Sequence, residues 1–183
     1  MRVLVVYYSE TSNTEKVAES IREEVSREHE TDLKNLDGVT VEELHGYNFV
    51  FTGSACHDSD LARPMIMFLE AIPENPPFSM AGFYTHSAYT RDNQRFKRSE
   101  EVFDKWAAKG LRTFERVSRE KGVEYKGHFN CKGASNPGIE TFIKNAIIRD
   151  EDEWEEYIEE VKKHPDSEDL KNAKLFAERA LTS

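Results

Sequence analysis

The amino-terminal stretch constrains the fold of this chain most. Residues 3–8 (Val-Leu-Val-Val-Tyr-Tyr) form an unbroken apolar run, the mark of a strand covered on both faces. The run meets a hydroxyl-rich turn, Ser9-Glu-Thr-Ser-Asn-Thr14, which opens directly into a helix whose Val17, Ala18, Ile21 and Val25 recur on one side. The first N–H groups of such a helix have no intrahelical partner and sit at the positive end of its dipole. Four hydroxyls and a carboxamide beside them make a cradle for a phosphate dianion. The spacing of Ser12 and Glu15 is equally that of a capping box, so the same residues can serve simply to start a helix.

The pattern of strand and helix repeats along the chain. Residues 32–36 read as a short, polar edge strand, and the Thr40–Glu43 spacing suggests a helical turn over 41–44. Residues 48–53 form a third strand, followed by a loop over 54–60 and a helix with Pro64 near its first turn. Met65, Phe68, Leu69 and Ile72 give that helix a buried face; Pro73, Pro76 and Pro77 end it. A fourth strand is expected over 80–85, a loop over 86–92 and one long helix over 99–121. Residues 123–131 make the fifth strand. Beyond an irregular stretch over 132–138, the stripes Trp154, Tyr157, Ile158, Val161 and Leu170, Ala173, Ala177, Leu181 predict closing helices. Alternation of this kind implies an α/β fold, a doubly wound five-stranded parallel sheet of order 2-1-3-4-5 with its ligand at the strands' carboxyl ends. With no repeat, low-complexity run or linker, residues 1–183 read as one domain.

Composition narrows the partners. Of 183 residues, 25 are Lys or Arg and 35 Asp or Glu, a net charge of −10 that argues against nucleic acid or an anionic membrane and permits docking to a basic protein. No stretch is apolar enough to span a bilayer, and the start lacks the order of a signal peptide. Cys56 and Cys131 have no metal-ligand spacing, and the expected setting is the reducing cytoplasm. The first loop lacks G-x-G-x-x-G, the Walker lysine, the paired acids of a receiver and the Cys and Arg of a small phosphatase. It is left to bind phosphate with hydroxyls and backbone amides.

On these residues the chain resembles the flavodoxin family. Ser9-Glu-Thr-Ser-Asn-Thr14 is similar to that family's FMN-phosphate loop, [ST]-x-T-G-N-T, with Ser12 where glycine is usual. Residues 44–54 look like the segment leading into its second flavin loop, and 164–170 like the start of its closing helix. The likeness covers nearly the whole chain and is poorest over 133–163, where an extra helical segment near 139–163 is expected. It implies a flavodoxin-like sandwich in which Ser9, Glu10, Thr11, Ser12, Asn13 and Thr14 hold the phosphate of FMN. The flavin ring then lies between Ser54, Ala55, Cys56 and His57 on one loop and Thr85, His86, Ser87, Ala88 and Tyr89 on another. A flat ring wants flat side chains against it, for which Tyr89 and His57 come first and His86 third. Cys56 beside His57 invites a redox thiol, but a small residue that turns its backbone to the ring is the simpler reading.

No catalytic nucleophile, acid–base pair or metal site is expected. The implied role is electron transfer between redox partner proteins, by a monomer or homodimer. The alternative on the same fold is an FMN-dependent NAD(P)H:quinone or flavin oxidoreductase.

Overall fold

Elements follow one another as β1 (Arg2–Tyr8), α1 (Asn13–Val25), β2 (Glu30–Asn35), β3 (Phe49–His57), β4 (Asp60–Leu61), α2 (Arg63–Ala71) and β5 (Ser79–His86). Then come α3 (Ser99–Trp106), α4 (Lys109–Lys121), β6 (Glu124–Lys132), α5 (Pro137–Ala146), α6 (Glu151–Val161) and α7 (Ser167–Thr182). This is a computed structural model, and it describes residues 1–88 and 99–182.

β1 explains the architecture. Its side chains alternate, sending Val3, Val5 and Tyr7 to one face and Leu4 and Val6 to the other, and all five are buried. Such a strand must lie inside a sheet covered on both sides. β1 pairs in parallel with β2 and β3, β5 with β3, and β6 with β5, giving the order β2-β1-β3-β5-β6. Counted as parallel strands alone, this is the flavodoxin-like order 2-1-3-4-5; the short β4 folds back antiparallel on β3. On the first face, α1 and α7 seal Val17, Ala18, Ile21, Phe176 and Ala177 against the sheet. They also clasp each other: Ser20 Oγ donates to the Leu170 carbonyl at 2.9 Å, and Lys174 pairs with Glu23 at 2.8 Å. On the other face Met65, Leu69, Phe114 and Val117 pack against Leu4, Val6, Val50 and Met80.

Several elements depart from the sequence expectation for tertiary reasons. β2 begins at Glu30, since it takes its register from β1, Arg2 opposite Glu30. The turn after it is a 3-10 helix over Glu42–Gly46 that opens at Val41 without a side-chain cap. The long helix over 99–121 is broken: the N–H groups of Ala107 and Ala108 both return to the Phe103 carbonyl, at 2.8 and 3.0 Å. The break brings Gly110 so close to Leu61 of β4 that a Cβ there would lie 3.0 Å from it. In β6 one extra residue is accommodated between the pairs Met80–Tyr125 and Gly82–His128, at Gly127 with φ 94°. Among the described residues no helix is long and apolar enough to cross a membrane.

Candidate functional site

The carboxyl ends of the parallel strands surround a cavity of about 620 Å³. Glu10, Thr11 and Asn13 of the first loop, residues 55–59 and residues 85–88 all line it, so the three predicted loops do converge.

The first loop is built differently from a capping box. Ser12 takes a left-handed backbone, φ 60°, and its side chain caps no backbone N–H of α1. Glycine is usual in this place because a Cβ is strained there. Glu15 turns to side chains: its carboxyl is held below the usual range first by the Tyr7 hydroxyl, which donates to it at 2.7 Å, and then by the Ser12 hydroxyl. Asn13 and Thr14 are buried braces. Asn13 Nδ2 donates to the Ala134 carbonyl at 2.7 Å and to Thr11 Oγ1 at 3.0 Å, while Thr14 and Thr85 share a hydroxyl–hydroxyl bond of 2.8 Å. Ser9 Oγ is buried with no partner. That orphaned hydroxyl, with that of Thr11 and the open N–H groups starting α1, fits a phosphate dianion.

The predicted loop over 54–60 is largely strand. β3 continues through His57 and reverses at Asp58 and Ser59, whose φ angles of 49° and 73° make a two-residue turn of the I′ kind. Ser54 is fully buried; its hydroxyl donates to the Ala55 carbonyl at 2.7 Å and accepts from Ala62 N at 2.9 Å, stapling the hairpin. Cys56 Sγ faces the Trp106 carbonyl at 3.7 Å. Burial, with Asp60 nearby, pushes its thiol up to about 12, which removes thiolate reactivity. His57 Nε2 lies 3.2 Å from Glu10 Oε2, and Glu10 Oε1 accepts from Tyr8 Oη at 2.8 Å, so Glu10 ties the first loop to the hairpin.

In the third loop His86 is walled in, edge-on to Phe103, with Nε2 3.1 Å from Asn130 Oδ1. Burial lowers its pKa to about 4 and keeps it neutral. Ser87 Oγ donates to the Gly133 carbonyl at 3.1 Å, and Tyr157 Oη donates to the Ser87 carbonyl. Tyr89 lies outside the described residues.

A fourth wall has no counterpart in the sequence reading. The turn over 133–136, Ile139, Phe142 and Ile143 of α5, Trp106 and Tyr157 complete the cavity. Ile139 and Phe142 are each 46 % exposed at its edge. Asn136 followed by Pro137 does announce a helix start, and Asn136 Oδ1 accepts from Ile139 N at 3.0 Å. Nothing in that spacing says the helix faces the site. Behind it, Lys132 and Glu160 form a largely buried ion pair that holds α6 to the sheet. His164, Asp166 and Asp169 also gather closely, but they cap α7: Asp166 Oδ1 accepts from Glu168 N and Asp169 N, and Asp169 Oδ2 from Asp166 N.

Comparison with known proteins agrees with this geometry. The family model for the flavodoxin domain matches residues 4–178. An uncharacterised protein of Methanocaldococcus jannaschii is 27 % identical over 186 residues, covering 99 % of both chains. Flavodoxin 2 of Bacillus cereus has a TM-score of 0.62 at 20 % identity, over 100 % of this chain and 99 % of its own. A flavodoxin of Streptococcus pneumoniae TIGR4 has a TM-score of 0.60 at 14 % identity, over 100 % and 99 %. Rubredoxin oxygen:oxidoreductase of Desulfovibrio gigas has a TM-score of 0.61 at 14 % identity; 99 % of this chain corresponds to 35 % of that one. At such identities these structures speak for the fold alone.

Proposed function

Because this chain belongs to the flavodoxin domain family, we propose that it binds FMN and passes electrons between redox partner proteins. The observation that carries this reading is the first loop: Glu10, Thr11 and Asn13 line a cavity with an apolar, aromatic far side, next to the unpaired buried hydroxyl of Ser9 and the open amides at the start of α1. In this reading Ser9, Thr11 and Ser12 hold the phosphate, while Asn13 and Thr14 keep the loop in shape. Ala55, Cys56 and His57 flank the ring on one side, and Ser87, Ala88 and Tyr89 on the other. FMN, when bound, supplies one- or two-electron exchange at its ring. The protein's own part is to orient the ring, exclude water behind it with Trp106 and Tyr157, and set the local charge through the Glu10–His57 pair. The net charge of −10 favours basic redox partners. Titration of flavin-free protein with FMN and riboflavin, followed by flavin fluorescence, tests the reading. FMN binding at least about tenfold tighter is expected, since phosphate contacts are charge-assisted; a protein that takes up neither flavin overturns it.

One observation favours a second reading, an FMN-dependent NAD(P)H:quinone or flavin oxidoreductase. Ile139 and Phe142, half exposed beside the cavity, offer an apolar rest for a small planar acceptor. Steady oxidation of NADH or NADPH by the holoprotein with a quinone present supports the enzyme; no turnover supports the carrier. Sedimentation of the holoprotein separates monomer from homodimer.

A further inference from the structure

Resting on the FMN reading above, we infer that the turn between β6 and α5 is a second phosphate-binding element, acting through the hydroxyl of Ser135. The turn is fastened to the first loop. Asn13 Nδ2 donates to the Ala134 carbonyl at 2.7 Å, and Gly133 sits so tightly on Asn13 that a Cβ would lie 3.0 Å from its side chain. It is fastened to the third loop as well, by Gly133 N donating to the His86 carbonyl at 2.8 Å and Ser87 Oγ to the Gly133 carbonyl at 3.1 Å. Ala134 N donates to the His164 carbonyl at 3.3 Å. Each of these main-chain groups is thereby used inside the protein, and the turn has little freedom to move away.

Ser135 stands apart from this network. It lines the same cavity as Thr11 and Asn13, yet its Oγ is buried and has no hydrogen-bond partner. Ser9 Oγ, in the first loop, is in the same condition. A buried hydroxyl without a partner is costly, so Ser135 calls for an acceptor in the cavity that it lines. With no hydrogen bond to hold it, the Ser135 hydroxyl can turn among its staggered rotamers without disturbing the main-chain bonds. α5 begins directly after it, and the positive end of that dipole adds to the one at α1. Among the described residues lining the cavity there is no Lys or Arg, so a dianion there depends on neutral donors, each of which counts. The acceptor of matching chemistry is a phosphate monoester, and the turn distinguishes FMN from riboflavin.

The test is flavin affinity in the purified full chain, stripped of flavin and titrated with FMN and with riboflavin. Ser135→Ala should raise the Kd for FMN about 10- to 100-fold, the usual effect of losing a hydrogen bond to a charged group. It should leave riboflavin within about twofold, and Ser135→Thr should keep most of the FMN affinity. The 31P resonance of bound FMN should also move in Ser135→Ala. Should the alanine variant fail to fold, Ser135→Cys, a near-isostere with a weak donor, serves in its place. FMN affinity within twofold of wild type overturns the inference. Equal losses for FMN and riboflavin overturn it too, because the hydroxyl then meets the ribityl chain or the ring. Wild-type protein that takes up neither flavin defeats the FMN reading itself, a failure visible before any variant is made.

Discussion

Thr14 and Thr85 join their hydroxyls across 2.8 Å inside the protein, linking the first turn of α1 to the end of β5. The bond lies between two of the loops that form the site, so their spacing depends on a contact that no ligand needs to touch. Replacing one partner leaves the other hydroxyl buried and unpaired. Thr14→Val and Thr85→Val should each cost about 1–3 kcal/mol, whereas the double variant should be no less stable than the worse single. Urea unfolding of the flavin-free proteins measures all three. Strict additivity would show that the two hydroxyls do not act together.

Ser12 has a left-handed backbone where a Cβ is strained. A capping role predicts that Ser12→Gly weakens the start of α1. The observed φ predicts the reverse: a gain of roughly 0.5–1 kcal/mol and a Tm higher by about 2 °C. Thermal unfolding monitored by circular dichroism decides between them.

His86 makes stability depend on pH. Its folded pKa of about 4 lies below the ordinary value of 6.5, so the unfolded chain takes up the proton first. Stability from this group is therefore complete above about pH 7 and falls as pH drops from 6.5 toward 4. Wild type should lose about 2–3 kcal/mol more than His86→Gln between pH 7.5 and 4.5. Carboxylates such as Glu15 and Asp166, also held below their usual range, contribute equally to both proteins and cancel in the difference.

Both thiols are pushed upward by burial, Cys56 to about 12 and Cys131 well above its ordinary value. Ellman's reagent at pH 7.5 should label the folded protein slowly and release two thiols per chain promptly once it is denatured. Fast labelling of one thiol in the folded state would restore the redox-thiol reading of Cys56.

The sheet is legible in the sequence because burial on both faces leaves a strand little choice but to be apolar, as in residues 3–7 and 49–51. The phosphate loop is legible because its chemistry needs small hydroxyl residues between a strand and a helix. The hairpin after Ser54 is not, since its turn at Asp58 and Ser59 lacks the glycine that marks a left-handed pair. Nor is the fourth wall. Gly133 acquires its role by docking on Asn13 and Ser87, and Phe142 by docking on Trp106; these partners are distant in the chain, and no local spacing encodes such a contact.

The clasp between α1 and α7 sets a timetable for synthesis. The phosphate loop and α1 leave the ribosome before α7, but Val17, Ala18 and Ile21 lack part of their cover until Phe176 and Ala177 have emerged. A nascent chain thus carries its loop motif long before it has the surface that holds the helix in place. Stable capture of a cofactor by this loop then waits for α7, and translation arrested before α7 leaves a product whose α1 lacks part of its cover.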